Sequence, residues 1–343
     1  MTGLPHLTGR LLRNVSRSFY LTLRILPSAV RPQVGLAYLL ARATDTIADT
    51  GIVPVDQRLA ALHRLRRAIQ GPDPMPLMLG ELTQSQGSAG EQLLLMRIEE
   101  VLSALRQLEP DDHQLIQDLL GTITSGQELD LTRFGDKGID DIGALKTDAD
   151  LDDYTYRVAG CVGEFWTRMC QAHLFPELGA RTDSTLAKGV RFGKGLQLVN
   201  ILRDLPMDLR NGRCYLPEDP LAQIGLAPRD LLSSQAQPRF NPLYQKYLSQ
   251  ARAHLAAGWE YTTELPRRHA RLRLACAWPI LIGLRTLDKL GAANVLDPGE
   301  RVKVSRSEVR GILVRTVLLY PWQRVWQGLF PRQNREFREA HLR

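Results

Sequence analysis

The chain has 343 residues, of which 44% are hydrophobic, 24% charged and 6% aromatic. This balance is typical of a globular protein and excludes a disordered, collagen-like or low-complexity chain. Lys and Arg outnumber Asp and Glu by 44 to 37, a net charge of +7 that suits an anionic ligand, an anionic membrane surface or nucleic acid without choosing among them. The four cysteines lie far apart and no CxxC or HExxH pattern occurs, which argues against a disulfide scaffold or a zinc site and favours a reducing cytosol.

Apolar residues recur with the helical period along nearly the whole chain, and no convincing alternating strand pattern interrupts them. The predicted helices, in chain order, cover Pro32–Asp49, Val55–Ile69, Gly90–Gln107, Asp112–Thr132, Leu151–Leu174, Ser184–Leu209, Asn241–Leu265, Arg267–Leu290 and Arg306–Leu319. Connections rich in Pro, Gly, Ser or Asp separate them, and none is long or distinct enough to divide the chain. The sequence therefore predicts one all-α domain.

No segment of the sequence is a convincing membrane span. The longest uncharged apolar stretch, Leu274–Leu284, is too short, because crossing a bilayer takes about 20 residues. Residues 1–10 lack the apolar core of a signal peptide. We therefore expect a cytoplasmic protein with, at most, peripheral contact to the inner face of the membrane. Trp322, Trp326 and Phe330 recur every four residues near several arginines, a pattern that suits either docking at a membrane interface or packing on the protein body.

A one-sided stripe of polar residues lies on the predicted helix Pro32–Asp49. Tyr38, Arg42, Asp45 and Asp49 are spaced four, three and four residues apart, so they share one face of a helix that is otherwise almost wholly apolar. Because unpaired buried charge is costly, the stripe must face a cavity or a partner. The two carboxylates can share Mg²⁺ that bridges to phosphate. A buried ion pair of Arg42 with Asp45 or Asp49 explains the stripe equally well.

A second polar stripe lies on the predicted helix Ser184–Leu209. Its members are Gln197, Asn200, Asp204 and Asp208, with Arg203 beside them. Two facing pairs of carboxylates would form a cage that holds Mg²⁺ ions against a diphosphate. Pro206 should kink or end the helix, so we expect Asp208 on a last, distorted turn.

Two shorter motifs carry polar groups that could reach the same cavity. Tyr154 precedes the small residues Gly160 and Gly163, which allow close approach of another backbone or a ligand, although a core tyrosine is the simpler interpretation. The segment SRSF at 16–19 places hydroxyls around a guanidinium and is similar to a phosphate grip in residue type only. Its first serine could equally cap a helix.

Together these motifs resemble the squalene/phytoene synthase family of head-to-head prenyl transferases, over roughly residues 10–320. The matching segments are SRSF at 16–19, YLLARATDTIAD at 38–49, YTYRVAGCVG at 154–163, QLVNILRDLPMD at 197–208 and GRCYLP at 212–217. The resemblance implies an all-α, single-domain isoprenoid-synthase helical bundle with a central cavity over residues 1–320, followed by a basic, aromatic tail over residues 321–343. Because no C-terminal membrane anchor like that of the eukaryotic enzymes is present, the chain looks most like a bacterial squalene synthase.

The resemblance also implies roles for individual residues. Asp45, Asp49, Asp204 and Asp208 match the metal-binding positions, where Mg²⁺ accepts the diphosphates of two prenyl substrates. The implied catalytic residues are Tyr154, Arg42, Asp45 and Asp204, the tyrosine lying near the cationic intermediate. The implied substrate-binding residues are Ser16, Arg17, Ser18, Tyr38, Arg42, Gln197, Asn200, Arg203 and Arg213.

The C-terminal segment bears on the product. Lys303 matches a basic residue that squalene synthases use for NADPH, but the next expected basic position holds Ser305, with Arg306 one place later; an ordinary solvated turn is equally open. We predict condensation of two farnesyl diphosphates through presqualene diphosphate, then NADPH reduction to squalene. The alternatives are a non-reductive dehydrosqualene or phytoene synthase and, more remotely, an inactive scaffold on the same fold. Nucleic acid is not an expected partner, because the basic cluster at residues 64–67 lacks interleaved aromatic residues.

Overall fold

Helices account for most of the computed structural model, which describes residues 11–16, 19–71, 77, 79–84, 88–176, 182–297 and 299–331. The α-helices are α1 Leu12–Val15, α2 Phe19–Ile25, α3 Arg31–Asp49, α4 Val55–Gln70, α5 Gly80–Gln84, α6 Ala89–Met96, α7 Ile98–Leu105, α8 Pro110–Phe134, α9 Asp148–Thr155, α10 Cys161–Leu174, α11 Thr182–Arg210, α12 Glu218–Gln223, α13 Gln237–Glu264, α14 Ala270–Ala292, α15 Arg306–Leu319 and α16 Gln323–Gln327. Tyr156–Gly160 is π-helical, and Pro228–Leu232 and Ser234–Ala236 are 3₁₀-helical. Two short strands, β1 Gly143–Ala144 and β2 Arg213–Cys214, pair in parallel. The all-α, single-domain prediction is confirmed.

Seven of the nine predicted helices form single α-helices whose ends lie within four residues of the predicted ones. Local sequence explains several ends. Pro110 begins α8, where its missing N–H costs nothing and Asp111 complements the helix dipole. Ser305 and Glu308 form a capping box that begins α15.

Two predicted helices differ from the expectation. The predicted Gly90–Gln107 helix is broken at Arg97, whose backbone N–H bonds to the carbonyls of both Leu93 and Leu94. The predicted Leu151–Leu174 helix contains the π-helical turn Tyr156–Gly160 between α9 and α10. Such turns insert one extra residue and are frequent at functional sites, which periodicity alone does not reveal.

The helices around the centre of the molecule pack on one another in series. α3 packs on α8, α8 on α10, and α10 on α11, while α11 also packs along α13. The first three of these contacts leave the polar stripes of α3 and α11 on the walls of a shared interior space.

Small residues let the segment after Tyr154 contact α11 backbone to backbone. A Cβ atom on Gly163 would lie 1.9 Å from the carbonyl oxygen of Gly189, and one on Gly193 would lie 2.0 Å from that of Ala159. No side chain larger than hydrogen fits at either crossing. The close approach predicted from the small residues is therefore present. It brings the N-terminal half of α11 close to the π-helical turn.

Two local expectations need correction. Pro206 does not end its helix, because α11 continues to Arg210; Asp208 nevertheless lies in the last turn, as predicted. The aromatic residues of the tail do not form one surface. Trp326 is fully buried and stacks on Trp259 with ring centroids 4.9 Å apart, whereas Trp322 precedes α16 and is 62% exposed. The helical spacing does not apply, since Trp322 lies outside the five-residue helix. The predicted separation of residues 321–343 from the catalytic domain stays a prediction.

Candidate active site

A cavity of about 640 Å³ opens between α3, α8, α10 and α11. It gathers most of the predicted site residues on one continuous surface. These are Tyr38, Arg42, Asp45, Asp49, Tyr154, Gln197, Asn200, Asp204, Asp208 and Arg213. The rest of the wall is largely apolar and includes Ile123, Phe165 and Trp166.

The two carboxylates of α3, Asp45 and Asp49, repel each other. Arg42 donates from Nη1 to Asp45 Oδ2 at 2.6 Å and from Nη2 to Glu91 of α6. Even so, burial raises the pKa of Asp45 to about 7, and the neighbouring charge of Asp49 adds to that effect. Burial also raises the pKa of Asp49. The ion pair considered as the alternative explanation of this stripe is thus present, but it leaves the negative charge of the pair only partly neutralised.

The carboxylate pair of α11 repeats this pattern. Arg203 clamps Asp204 with two hydrogen bonds, from Nε to Oδ1 at 2.8 Å and from Nη2 to Oδ2 at 2.5 Å. Burial raises the pKa of Asp208 to about 7, and the charge of Asp204 is the next largest cause. Each stripe therefore has one carboxylate that is hydrogen-bonded to an arginine. Beside it lies a second carboxylate whose pKa is raised.

Behind the pairs lies a polar cluster that the sequence analysis missed. Tyr215 donates its hydroxyl to Asp130 Oδ1 at 3.0 Å, and Arg213 Nη1 reaches Asp130 Oδ2 at 3.4 Å. The ring of Tyr154 stacks on that of Tyr215 with centroids 4.8 Å apart. Gln127 and Asp130, three residues apart on α8, both line the cavity, so the spacing argument used for α3 could have found them.

The donor set fits Mg²⁺ held together with a phosphate group. Among the described residues, no three His, Cys, Asp or Glu side chains form a group that could hold a metal by itself. Mg²⁺ in proteins commonly takes one or two carboxylates and completes its shell with water and substrate phosphate oxygens. The two carboxylate pairs on the cavity wall provide the oxygens. The raised pKa values of Asp45 and Asp208 reflect desolvation and the unbalanced negative charge that such a cation would neutralise.

The N-terminal predictions are met only in part. Ser16 is buried and donates its hydroxyl to the Leu12 carbonyl at 2.5 Å, so it serves α1 and is not part of the cavity wall. Tyr38 lies close by, because its hydroxyl donates to the Val15 carbonyl at 3.4 Å. Arg17 and Ser18 lie outside the described residues.

A second cavity of about 670 Å³ adjoins the carboxylates of α11 and shares Asp204 and Asp208 with the first. Its wall carries four cations, Arg203, Arg210, Arg301 and Lys303, and four carboxylates, Asp204, Asp208, Asp297 and Glu300. Arg306, the first residue of α15, does not line this wall. Ser305 stands in place of the expected basic residue, and its hydroxyl caps α15 by accepting from the Glu308 N–H at 3.2 Å. The formal charges of the wall balance, with Lys303 present and Arg306 outside it.

A small, almost wholly apolar pocket of about 160 Å³ adjoins the first cavity. Val162 and Trp166 of α10 line both spaces and so form the partition between them. Beyond the partition, Tyr261, Cys276 and Pro279 form part of the far wall. The first cavity itself joins the polar stripes to apolar side chains, so a ligand that is charged at one end and apolar at the other would find matching surroundings there.

Comparison with known proteins identifies relatives along most of the chain. The squalene/phytoene synthase family model matches residues 12–308. The presqualene diphosphate synthase of Zymomonas mobilis is 30% identical over 305 residues, which cover 88% of this chain and 89% of that protein. A bifunctional lycopene cyclase/phytoene synthase of Leptosphaeria maculans is 27% identical over 313 residues, which cover 90% of this chain but only 49% of that longer protein.

The fold is also present among solved structures. The solved complex of TcSQS with the ligand E5700 superposes with a TM-score of 0.75 at 21% identity, over 99% of this chain and 96% of that one. At this identity the likeness concerns the fold alone. The family match over most of the chain carries the assignment: the protein belongs to the squalene/phytoene synthase family of head-to-head prenyl transferases.

Proposed function

We propose that this protein joins two farnesyl diphosphates head to head, with Mg²⁺, to give presqualene diphosphate. The observation that carries the proposal is the cavity that brings two carboxylate pairs together on a largely apolar wall, with an apolar pocket beside it. The presqualene diphosphate synthase of Zymomonas mobilis, whose length this chain nearly matches, supports the same product. The proposal includes the metal-binding, substrate-binding and catalytic roles predicted for the residues of the cavity.

Departure of the allylic diphosphate is the step that the charged end would assist. When bound, Mg²⁺ neutralises the leaving diphosphate. Asp45 and Asp49 on one helix and Asp204 and Asp208 on the other would hold the metal. Arg42 and Arg213, both on the cavity wall, supply fixed positive charge for the phosphate oxygens without reorganising. No side chain need act as a nucleophile, since the carbon–oxygen bond breaks with both electrons leaving on the diphosphate.

The apolar wall of the cavity would stabilise and shield the allylic carbocation that remains after the diphosphate leaves. Phe165, Trp166 and Tyr154 present aromatic rings to the cavity, and a ring face attracts positive charge. Tyr154 is held in place by its stacking on Tyr215. A wall that excludes water prevents hydrolysis of the cation and lets the second prenyl chain attack instead.

Reduction by NADPH to squalene stays a prediction and forms the second candidate function. The position of Lys303 on the wall of a cavity that adjoins Asp208 supports it, because a phosphate group bound to Lys303 would place a cofactor next to the carboxylates of α11. Arg306 would need to act from outside that cavity wall. The names of the relatives described above include no reductive step, so a product released without reduction is the simpler outcome.

The test is incubation of the purified protein with farnesyl diphosphate and Mg²⁺, with and without NADPH, followed by mass spectrometry of the products. Presqualene diphosphate in both reactions supports the proposed function. Squalene formed only with NADPH supports the second candidate and gives Lys303→Gln a defined readout. Dehydrosqualene regardless of NADPH indicates the non-reductive synthase.

Geranylgeranyl diphosphate in place of farnesyl diphosphate tests the phytoene synthase alternative in the same assay. Asp204→Asn serves as the inactive control for both substrates. Absence of any product from either substrate, with a folded protein, would contradict the proposal and favour the scaffold alternative.

A further inference from the structure

Exposed apolar side chains are concentrated at the C-terminal end of the described chain. Of the ten large hydrophobic side chains that are exposed among the described residues, five lie between residues 314 and 325. They are Val314, Val317, Leu318, Trp322 and Val325, with exposures of 49% to 63%. We refer to these five residues as the C-terminal apolar face. Scattered exposed apolar residues are ordinary, but half of the set within twelve residues marks an interaction site.

Helix α15 is held to the protein by its other side. Thr316 is buried and accepts a hydrogen bond from Trp278 Nε1 at 2.9 Å. Val314, Val317 and Leu318 are spaced three and one residues apart, so they project together from the opposite side of the helix. The anchored side fixes the orientation of the helix, and the apolar side faces outward.

Positive charge surrounds the C-terminal apolar face. The exposed cations in and next to α15 and α16 are Arg306, Arg310, Arg315 and Arg324. The acidic residue of α15, Glu308, is already bound by Arg285 at 2.9 Å and Lys289 at 2.8 Å. The surroundings are therefore basic, and Trp322 is of the residue type that favours the level of lipid headgroups.

We propose that the C-terminal apolar face docks on an anionic phospholipid bilayer. Apolar side chains would enter the boundary between headgroups and acyl chains, while the arginines contact the phosphates. A second copy of this chain is a poorer occupant, because an isologous contact would bring the same cluster of arginines together from both copies. The surface differs from the predicted stripe, since Trp326 and Phe330 are buried and only Trp322 belongs to both.

The position of the C-terminal apolar face indicates how contact with a bilayer would serve the enzyme. This step rests on the proposed function. Val302, Lys303 and Val304 before α15, and Val309 in its first turn, line the cavity that shares Asp204 and Asp208 with the candidate active site. A bilayer bound to the outward side of α15 would thus be separated by this helix from the cavity next to the candidate site. The contact would keep the enzyme at the lipid phase that takes up the long apolar chains of its product.

The experiment is co-sedimentation of the full chain with phosphatidylcholine vesicles that contain or lack phosphatidylglycerol, without substrate. The test variant is Val317→Ser/Leu318→Ser. Its matched control is Ile52→Ser/Met96→Ser, which removes two exposed apolar side chains, of 76% and 67% exposure, elsewhere on the molecule. Thermal unfolding checks that both variants fold, as expected for exposed positions.

We expect binding to the phosphatidylglycerol vesicles that weakens about tenfold in the test variant and stays unchanged in the control. Arg310→Gln/Arg315→Gln should weaken it about tenfold as well, and added salt should do the same. Binding that is absent, or lost equally in the control, would overturn the inference. So would a dimer in sedimentation velocity that the test variant abolishes without any vesicle binding. Because no substrate is present, failure of the proposed function leaves this result unaffected.

Discussion

Arg213 lies 3.4 Å from Asp130, and that contact joins the strand after α11 to the C-terminal end of α8. Burial raises the pKa of Asp49 and of Asp208, which belong to the two different carboxylate pairs, and the charge of Arg213 offsets part of that rise in both. One guanidinium is therefore shared by three carboxylates from three helices. Asp130 and Tyr215 hold it at that central position, so they become positioning residues of the candidate site.

Asp130→Asn should disturb this arrangement without unfolding the protein. The amide keeps the shape of the carboxyl but loses the charge that holds Arg213, a hydrogen bond to a charged group worth about 2 kcal/mol, or roughly thirtyfold in kcat/KM. Steady-state condensation assays with farnesyl diphosphate measure the change. Asp118→Asn, an exposed acid on the same helix, is the control and should have no effect. Equal activity in the two variants would remove the positioning role.

Asp45→Asn should abolish activity yet stabilise the metal-free protein. The folded pKa of Asp45 is about 7 against 3.8 for the model carboxyl, so the folded state binds more protons between these values and its stability falls as pH rises through them. Removing the charge should therefore raise the free energy of unfolding above pH 7. We expect about 1 kcal/mol, discounted because the side chain keeps 42% exposure to solvent in the cavity.

Denaturant unfolding of the two proteins at pH 8 and below pH 4, without Mg²⁺, measures this difference; the gain should vanish at the acidic end. Asp140→Asn, at a side chain with 92% exposure, is the control. Condensation activity of Asp45→Asn should fall at least about a hundredfold. A variant that is less stable at pH 8 would show that the pair is not strained by its own charge.

The candidate site could be predicted from sequence where its residues repeat along one helix. Asp45 with Asp49, and Asp204 with Asp208, follow a four-residue spacing on otherwise apolar helices, which is a local signal. Tyr215 gives no such signal, because it follows a two-residue strand and reaches Asp130 only through the packing of distant segments. Tertiary contacts of this kind depend on the whole fold.

In the C-terminal tail, by contrast, a local sequence pattern is present but does not predict the structure. Trp322 and Trp326 have helical spacing, but a shared face requires one continuous helix, and α16 begins only at Gln323. The π-helical turn Tyr156–Gly160 was likewise beyond prediction, since its sequence has the composition of an ordinary helix. Gly160 in this turn and Gly163 just after it did predict a close helix contact, because the absence of a side chain is itself a local property.

Gly163→Ala should strongly destabilise the fold. The new methyl carbon would lie 1.9 Å from the Gly189 carbonyl, and that neighbour is backbone, so α10 and α11 would have to separate. We expect a loss of about 3 kcal/mol or more. The matched control is Gly311→Ala in α15, where nothing lies within 4 Å and alanine should stabilise the helix by about 0.5–1 kcal/mol. Thermal unfolding compares the two; a loss below 1 kcal/mol at Gly163 would contradict the close crossing.

His254 should make stability depend on mildly acidic pH. Burial lowers the pKa of His254 from 6.5 to about 4, and the charges of Arg191 and Lys194 act in the same direction. The unfolded chain therefore binds the proton more readily, and stability is lost as pH falls from 6.5 towards 4. The loss should be about 3 kcal/mol at most. The measurement is the pH dependence of unfolding in the wild type relative to His254→Asn, which should be flatter across this window; identical profiles would show that the histidine ionises freely in the fold.

Trp166→Ala should change which prenyl chain the enzyme prefers, because this side chain separates the main cavity from the small apolar pocket. Its removal joins the two spaces and makes room for a longer chain. We expect kcat/KM for geranylgeranyl diphosphate, relative to farnesyl diphosphate, to rise about tenfold. Ile123→Ala is the matched control, since Ile123 lines the main cavity but not the small pocket. Competition assays with both substrates give the ratio directly, and an unchanged ratio in a folded Trp166 variant would place the chain end elsewhere in the cavity.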